Sequence, residues 1–225
     1  MTAKAFKASG SDLVRLSKET LHDKVFGQLT KLILDGGIAP GEVVTVQSLA
    51  TAFGVSPMPV REALSRLVAA NALTVVSGRS IGLAPLSSSR LTDLRNVRME
   101  IEAAAVAWAA ERRSDAELAQ TKRHLQTLER VVGAGNAKGY VSANYSFHFS
   151  IYRASKSENA LRIIENLWLQ ISPYFNTLRG FYSTSNTYHR EMFAALADKD
   201  APGIAAALRA DIDSAYKELA LRLDN

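Results

Sequence analysis

A chain of 225 residues with 47% apolar and 22% charged side chains is long enough for one large or two modest domains, each with its own core. It holds no apolar run of about 18 residues, which excludes a membrane-spanning helix, and Met1 to Lys7 lack the apolar segment of a secretory signal, so cytoplasm is the expected compartment. Without cysteine it has neither disulfides nor thiolate ligands, and a net charge of +5 suits a polyanionic partner without requiring one.

Residues 1–17 are small, polar and basic and read as a flexible tail. From Lys18 to about Asp35, Leu21, Val25, Leu29, Leu32 and Ile33 recur at helical spacing, and Gly36-Gly37 stops the run. Ala39-Pro40-Gly41 is a turn, after which Val43, Val44 and Val46 are placed to pack beneath a helix starting near Gln47 or Ser48. That helix is short, and Gly54 supplies the left-handed residue that ends it. Ser56 then offers a hydroxyl cap to the next helix, with Pro57 at its first position. Val60, Ala63, Leu64 and Leu67 form its buried face, while Arg61 and Ser65 lie on another. Two helices joined this tightly, with polar residues turned outward, point to a DNA-reading helix-turn-helix. Leu73–Val76 and Ile81–Ala84 are β-prone, and Ser77-Gly78-Arg79-Ser80 joins them into a hairpin wing. Pro85–Ser89 reads as a linker and the cap of a new helix.

Beyond Ser89 the pattern is helical throughout. Leu91, Leu94, Val97, Ile101, Ala104, Ala105 and Trp108 mark one long amphipathic helix. Others are expected over 114–132, 137–154, 158–181 (kinked or broken at Pro173), 187–197 and 202–221. The expected fold is mainly α: a winged helix-turn-helix of three helices plus a β-hairpin over 18–86, then an all-α antiparallel bundle over 87–225. Within the bundle, Asn144 and His148 are one turn apart and can face one centre. An imidazole and an oxygen suit a divalent transition metal, and the same pair equally suits a metal-free cluster of hydrogen bonds.

Residues 18–86 resemble the winged-helix domain of the GntR family of bacterial transcription regulators. The resemblance rests on Ile33-Leu34-Asp35-Gly36, Pro40-Gly41-Glu42, Leu49-Ala50, Gly54-Val55-Ser56, Pro59-Val60-Arg61-Glu62-Ala63-Leu64 and Leu67. It implies that the start of the recognition helix, Ser56, Pro57 and Met58, lies near base edges and phosphates, with Thr45 and Gln47 beside it. Arg61 is then the candidate for a bidentate guanine contact worth about 1–3 kcal/mol of discrimination, unless it pairs with Glu62. Ser65 and Arg66 follow on the same helix, and Gly78, Arg79 and Ser80 bring the wing to the duplex. Pro57 and Gln47 stand where arginines occur in the FadR branch, which implies a weaker salt dependence and a different operator.

Residues 90 to 222 resemble the FCD domain, the helical effector-binding domain of FadR-type members, through Arg98-Met99-Glu100-Ile101-Glu102, Asn144–His148, Tyr188-His189-Arg190 and Leu208–Asp211. The resemblance implies a divalent metal of the zinc, nickel or manganese class on Asn144, His148, His189 and Asp211, with Asp211 in the place of a usual imidazole. It also implies a small organic acid as effector, anchored by Arg98 with Tyr145 beside it. The alternative for Arg98 is a salt bridge with Glu102 on an exposed face. Tyr145, Trp168, Tyr174 and Tyr182 either line a pocket or belong to the core. The expected function is a ligand-responsive repressor, not an enzyme, that binds a palindromic operator as a homodimer. Two other readings stay open: a metal enzyme built on two histidines and a carboxylate, and a DNA-binding regulator whose pocket takes no metal or ligand.

Overall fold

The structure, a computed structural model, describes residues 21–175, 178 and 182–223. The expected tail, 1–17, lies outside the described residues. The N-terminal unit runs α1 (Leu21–Leu34), β1 (Val43–Thr45), α2 (Val46–Phe53), α3 (Pro57–Ala69), β2 (Leu73–Ser77) and β3 (Ser80–Leu83). Val25, Leu29 and Ile33 of α1 and Val60, Ala63, Leu64 and Leu67 of α3 are all buried, the face that their spacing predicts.

The wing has three strands rather than two. Val43 and Val44 do not simply underlie α2: they form β1, antiparallel to β3, with Val43 opposite Gly82 and Thr45 opposite Ser80 in the order β1-β3-β2. Gly82 is required at this crossing, because a Cβ there would lie 2.9 Å from the Glu42 carbonyl oxygen. Thr45 ends the strand and caps α2. Its hydroxyl accepts from the Ser48 amide while the Ser48 hydroxyl accepts from the Thr45 amide, so the helix starts at Val46, ahead of its expected start. Gly54 closes α2 at φ 66°, ψ 34° as expected. Ser56 precedes α3, but its side chain caps nothing. Pro59 occupies the third helical position and has no N–H to give, and the Met58 amide at the second is not bonded to the Ser56 hydroxyl either, which is exposed at the helix start.

Among the described residues six helices follow: α4 (Ser88–Arg112), α5 (Asp115–Gly133), α6 (Ala137–Ala154), α7 (Glu158–Phe175), α8 (Tyr182–Ala197) and α9 (Ala201–Leu223). Pro173 is accommodated inside the last turn of α7, and α8 begins at Tyr182, ahead of the expected Thr187. Trp168, Tyr152, Phe147 and Phe149 are the largest fully buried side chains of the bundle.

The two units are tied by side chains that donate mostly to backbone carbonyls. In the first turns of α4, Arg90 donates to the carbonyls of Asn71 (2.6 Å), Ala84 (3.0 Å) and Pro85 (2.8 Å) and to Gln170 Oε1 on α7 (3.0 Å). From α7, the Tyr174 hydroxyl donates to the Ala84 carbonyl (2.7 Å) and the Ser172 hydroxyl to that of Leu34 (3.0 Å). Both helices that grip the winged helix therefore come from the bundle.

Candidate DNA interface and candidate metal centre

One concave surface of the N-terminal unit is lined by Thr45, Val46 and Gln47 at the start of α2, Pro57 and Arg61 on α3, and Val75, Gly78, Arg79 and Ile81 on the wing. Ser56, just ahead of α3, and Met58 and Ser65 on it are exposed. Gly78 turns the wing at φ 46°, a left-handed conformation that disfavours other residues. Ser80 is half-buried within the sheet, opposite Thr45 and Ser77, rather than in the groove. Arg66 also departs from expectation. Its guanidinium lies 3.7 Å from the centre of the Phe26 ring and 3.8 Å from Asp23, both on α1. Five residues after Arg61, it sits well over a quarter turn around the helix, whereas Ser65 stays on the Arg61 side. The alternative partner of Arg61, Glu62, is instead bonded by His22.

In the bundle, α6 turns Tyr140, Asn144 and His148, each four residues from the next, toward one small cavity. Arg98 of α4, Trp168 and Phe175 of α7, Ser185 of α8 and Asp211 of α9 complete much of its wall. Tyr145, a single residue beyond Asn144, is rotated by about 100° out of this row. It stacks on Phe149 (centroids 3.9 Å apart) and meets Trp168 edge-on, a core position rather than a pocket one, and burial raises its hydroxyl to about 12. Tyr174 serves the domain junction, and the Tyr182 side chain lies outside the described ones.

His148, His189 and Asp211 converge. His148 Nε2 is 3.1 Å from His189 Nε2 and 3.5 Å from Asp211 Oδ2, and His189 Nε2 is 3.7 Å from Asp211 Oδ1. All three residues are buried. The tautomer of His148 follows from its neighbours. The Tyr152 hydroxyl donates to Glu102, so its oxygen accepts from His148 Nδ1–H at 3.2 Å, leaving the Nε2 lone pair facing the centre. Burial pushes His189 down to about 4, with Asp211 opposing and His148 adding to the shift, so the ring is neutral at pH 7. Burial works against an ionised Asp211, yet the His189 and His148 rings and the Ser185 hydroxyl, which donates at 2.6 Å, hold it down to about 2.

The centre is thus rich in lone pairs and poor in protons. Asn144 Oδ1 is buried with no hydrogen-bond partner among the described residues. A proton shared by the two imidazoles leaves the Asn144 oxygen without a donor and the buried carboxylate with the Ser185 hydroxyl, whereas a divalent cation satisfies all four groups at once. The residues fit such an ion. The cavity measures about 20 Å³, room for one ion or one water and not for an organic acid.

Arg98 borders the same cavity but is already engaged. Its Nε and Nη2 donate to the two oxygens of Glu102 at 2.5 and 3.1 Å. The expected alternative pair does form, but buried, with Arg98 2% and Glu102 0% exposed. Burial disfavours the guanidinium charge, and Glu102 more than restores it, raising the pKa above its ordinary value. The Trp168 and Tyr216 rings lie 4.9 and 5.7 Å away. Glu102, Tyr152 and Ser185 each stand one turn from Arg98, His148 and His189 on the same helix, the sequence signal that marks them as supports.

Comparison with known proteins agrees with both halves. Residues 21–83 match the bacterial regulatory proteins of the gntR family, and residues 93–214 match the FCD domain. The HTH-type transcriptional regulator McbR of Escherichia coli K12 is 30% identical over 174 residues, 75% of this chain and 78% of that protein. The Nta operon transcriptional regulator of Aminobacter aminovorans is 28% identical over 182 residues, 80% of this chain and 85% of that protein. The solved structure of E. coli McbR/YncC superposes with a TM-score of 0.84 at 27% identity, covering 90% of this chain and 98% of that one.

Proposed function

The chain belongs to the GntR family of bacterial transcriptional regulators, with an FCD domain behind its winged helix-turn-helix, and from that premise we propose that it is a homodimeric repressor controlled by a small organic acid at a divalent metal centre. The family and the relatives are regulators, not enzymes. The N-terminal groove is the operator-binding surface of this reading. Arg61 is the base-reading residue, Ser56 and Thr45 are phosphate contacts, and Arg79 carries charge into the minor groove. Pro57 in place of a cation moves discrimination onto Arg61 and the wing. Two such units related by a two-fold axis read a palindrome. Repression is the simpler output, because occupancy alone achieves it.

The observation that carries the sensing half is the convergence of two buried imidazoles, a carboxylate and the unpartnered Asn144 oxygen beside an ion-sized cavity. His148, His189, Asp211 and Asn144 would hold the ion, which supplies a Lewis-acidic centre for the oxygens of an acid. Tyr152 and Glu102 orient His148, and Ser185 orients Asp211. An entering carboxylate must share Arg98 with Glu102 or displace it. Admission also requires the wall to open, and that wall includes Trp168 and Phe175 of α7. The end of α7 holds the carbonyls of Leu34 and Ala84, and the start of α4 holds those of Asn71, Ala84 and Pro85. An acid that binds the opened arrangement more tightly thereby re-places the DNA-binding units.

A gel shift with the promoter region of its own or a neighbouring gene tests the output, and elemental analysis with a panel of organic acids tests the input. Specific retention, release by one acid, and loss of metal in His148→Ala with DNA binding intact are the expected results. Metal retained in His148→Ala places the ion elsewhere. No metal in wild-type protein dialysed after loading with zinc, nickel or manganese leaves the metal-free regulator as the correct reading.

A further inference from the structure

Along one flank of α4 runs a row of side chains that the bundle does not bury: Asp93, Val97, Ile101, Ala104, Trp108 and Arg112. Val97 is 39% and Trp108 37% exposed, Asp93 and Arg112 are exposed, and Ile101 and Ala104 are half-buried. By contrast, Leu91, Leu94 and Val106 of the same helix are buried. The steps between successive members are four, four, three, four and four residues, which keeps all six on one stripe about 28 Å long. That spacing reads the same from either end. The chemistry does not: one end is acidic and the other basic, and the bulky Trp108 answers the smaller Val97.

We propose that this stripe is the seam through which two copies of the chain pair, α4 against α4, antiparallel across a two-fold axis passing between positions 102 and 103. This rests on the homodimer proposed above and names its face. In that arrangement Asp93 of each copy meets Arg112 of the other, Val97 meets Trp108, and Ile101 meets Ala104. Opposite charges face each other at both ends, and at the axis a large aliphatic chain meets a small one, allowing close approach. A parallel pairing is excluded by the same residues, since it sets Asp93 on Asp93 and Arg112 on Arg112. Arg112 is also held in place for the contact. Its guanidinium lies 5.4 Å from the Trp108 ring centre and its Nη1 donates to the Ser155 carbonyl at 2.9 Å, leaving Nε and Nη2 out of that bond. About a quarter turn around α4, Arg98 borders the sensing cavity with Glu102 paired to it, so seam and sensor share one helix.

Analytical ultracentrifugation of the full chain tests the seam. Asp93→Arg and Arg112→Asp each put like charges together twice, and Trp108→Glu buries a carboxylate. Each is expected to raise the dimer dissociation constant at least ten-fold. An equimolar mixture of Asp93→Arg and Arg112→Asp chains is expected to recover the wild-type constant, because every Arg then meets an Asp. If Asp93→Arg and Trp108→Glu, both at exposed positions, dimerise like wild type, the seam lies elsewhere while the homodimer stands. If the two charge variants fold, are monomeric and do not rescue each other, the antiparallel register is wrong. Wild-type chain that stays monomeric at micromolar concentration overturns the homodimer and the seam together.

Discussion

Arg61 and Arg98 carry the same guanidinium into opposite surroundings. Arg61 stands exposed at the rim of the candidate DNA groove, where it keeps its hydration and contributes little to the fold. Its free energy is available to a guanine edge and to the release of counterions from a duplex. Arg98 has left water, and the loss is offset by a two-pronged contact with Glu102 and by the rings of Trp168 and Tyr216. Well-packed apolar residues are usually at least as stable as such a pair, so stability alone is a poor reason for placing it there. The winged helix keeps its key charge exposed to a partner outside, and the bundle keeps its own in a closed network beside the candidate ion site.

The largest expected effect comes from opening that network on one side only. Arg98→Ala or Glu102→Ala leaves a buried, uncompensated charge and should cost about 3–5 kcal/mol in urea denaturation. Arg98→Met combined with Glu102→Leu should recover most of it. Single substitutions costing under about 1 kcal/mol would mean that water reaches the pair and the contrast with Arg61 fails. Next in size, Arg61→Ala should leave stability within about 0.5 kcal/mol. It should also weaken operator binding by about 1–3 kcal/mol, read by titration against specific and scrambled duplexes. Equal loss on both duplexes would make Arg61 a phosphate contact. Arg79→Ala should act more weakly and evenly across sequences, reducing the slope of log affinity against log salt by about one.

What was legible in the sequence was local. Gly54, Pro57 and the spacing of Val60, Ala63, Leu64 and Leu67 lie within one short stretch and specify two helices and their turn. β1 was not legible as a strand, because three residues cannot declare a pairing whose partner, β3, lies past two helices. Arg90 was silent for the same reason: all of its acceptors are carbonyls and one amide oxygen set by tertiary placement. The cap assigned to Ser56 does not form, and Pro59 removes one of the two amides it could have held, a local fact readable from the sequence. In the bundle, the turn between Asn144 and His148 was visible, while His189 and Asp211 entered through family resemblance, and only the packing of α6, α8 and α9 brings them together. Tyr145 was misplaced by one residue, which on a helix is enough to exchange pocket for core.

Glu117 separates burial from domain as the cause of the contrast, since it belongs to the bundle yet lies at its surface. Its carboxylate is bonded by Lys156 Nζ and closes the capping box of α5 by accepting from the Ser114 amide and hydroxyl. Lys156 and Ser114 together outweigh burial and hold its pKa down to about 2. A folded-state value below the unfolded one means that the contribution is fully present above the ordinary carboxylate pKa and is lost as pH falls from about 4.5 toward 2. Solvent screens the pair, so the effect should match a cap and a surface ion pair, about 0.5–1 kcal/mol, and not the buried network. The thermal midpoint of Glu117→Gln should accordingly sit slightly below wild type at pH 7 and meet it near pH 2. A gap as large as that of Glu102→Ala, or one that persists at pH 2, would show that membership of the bundle rather than burial sets the cost of breaking a charge pair.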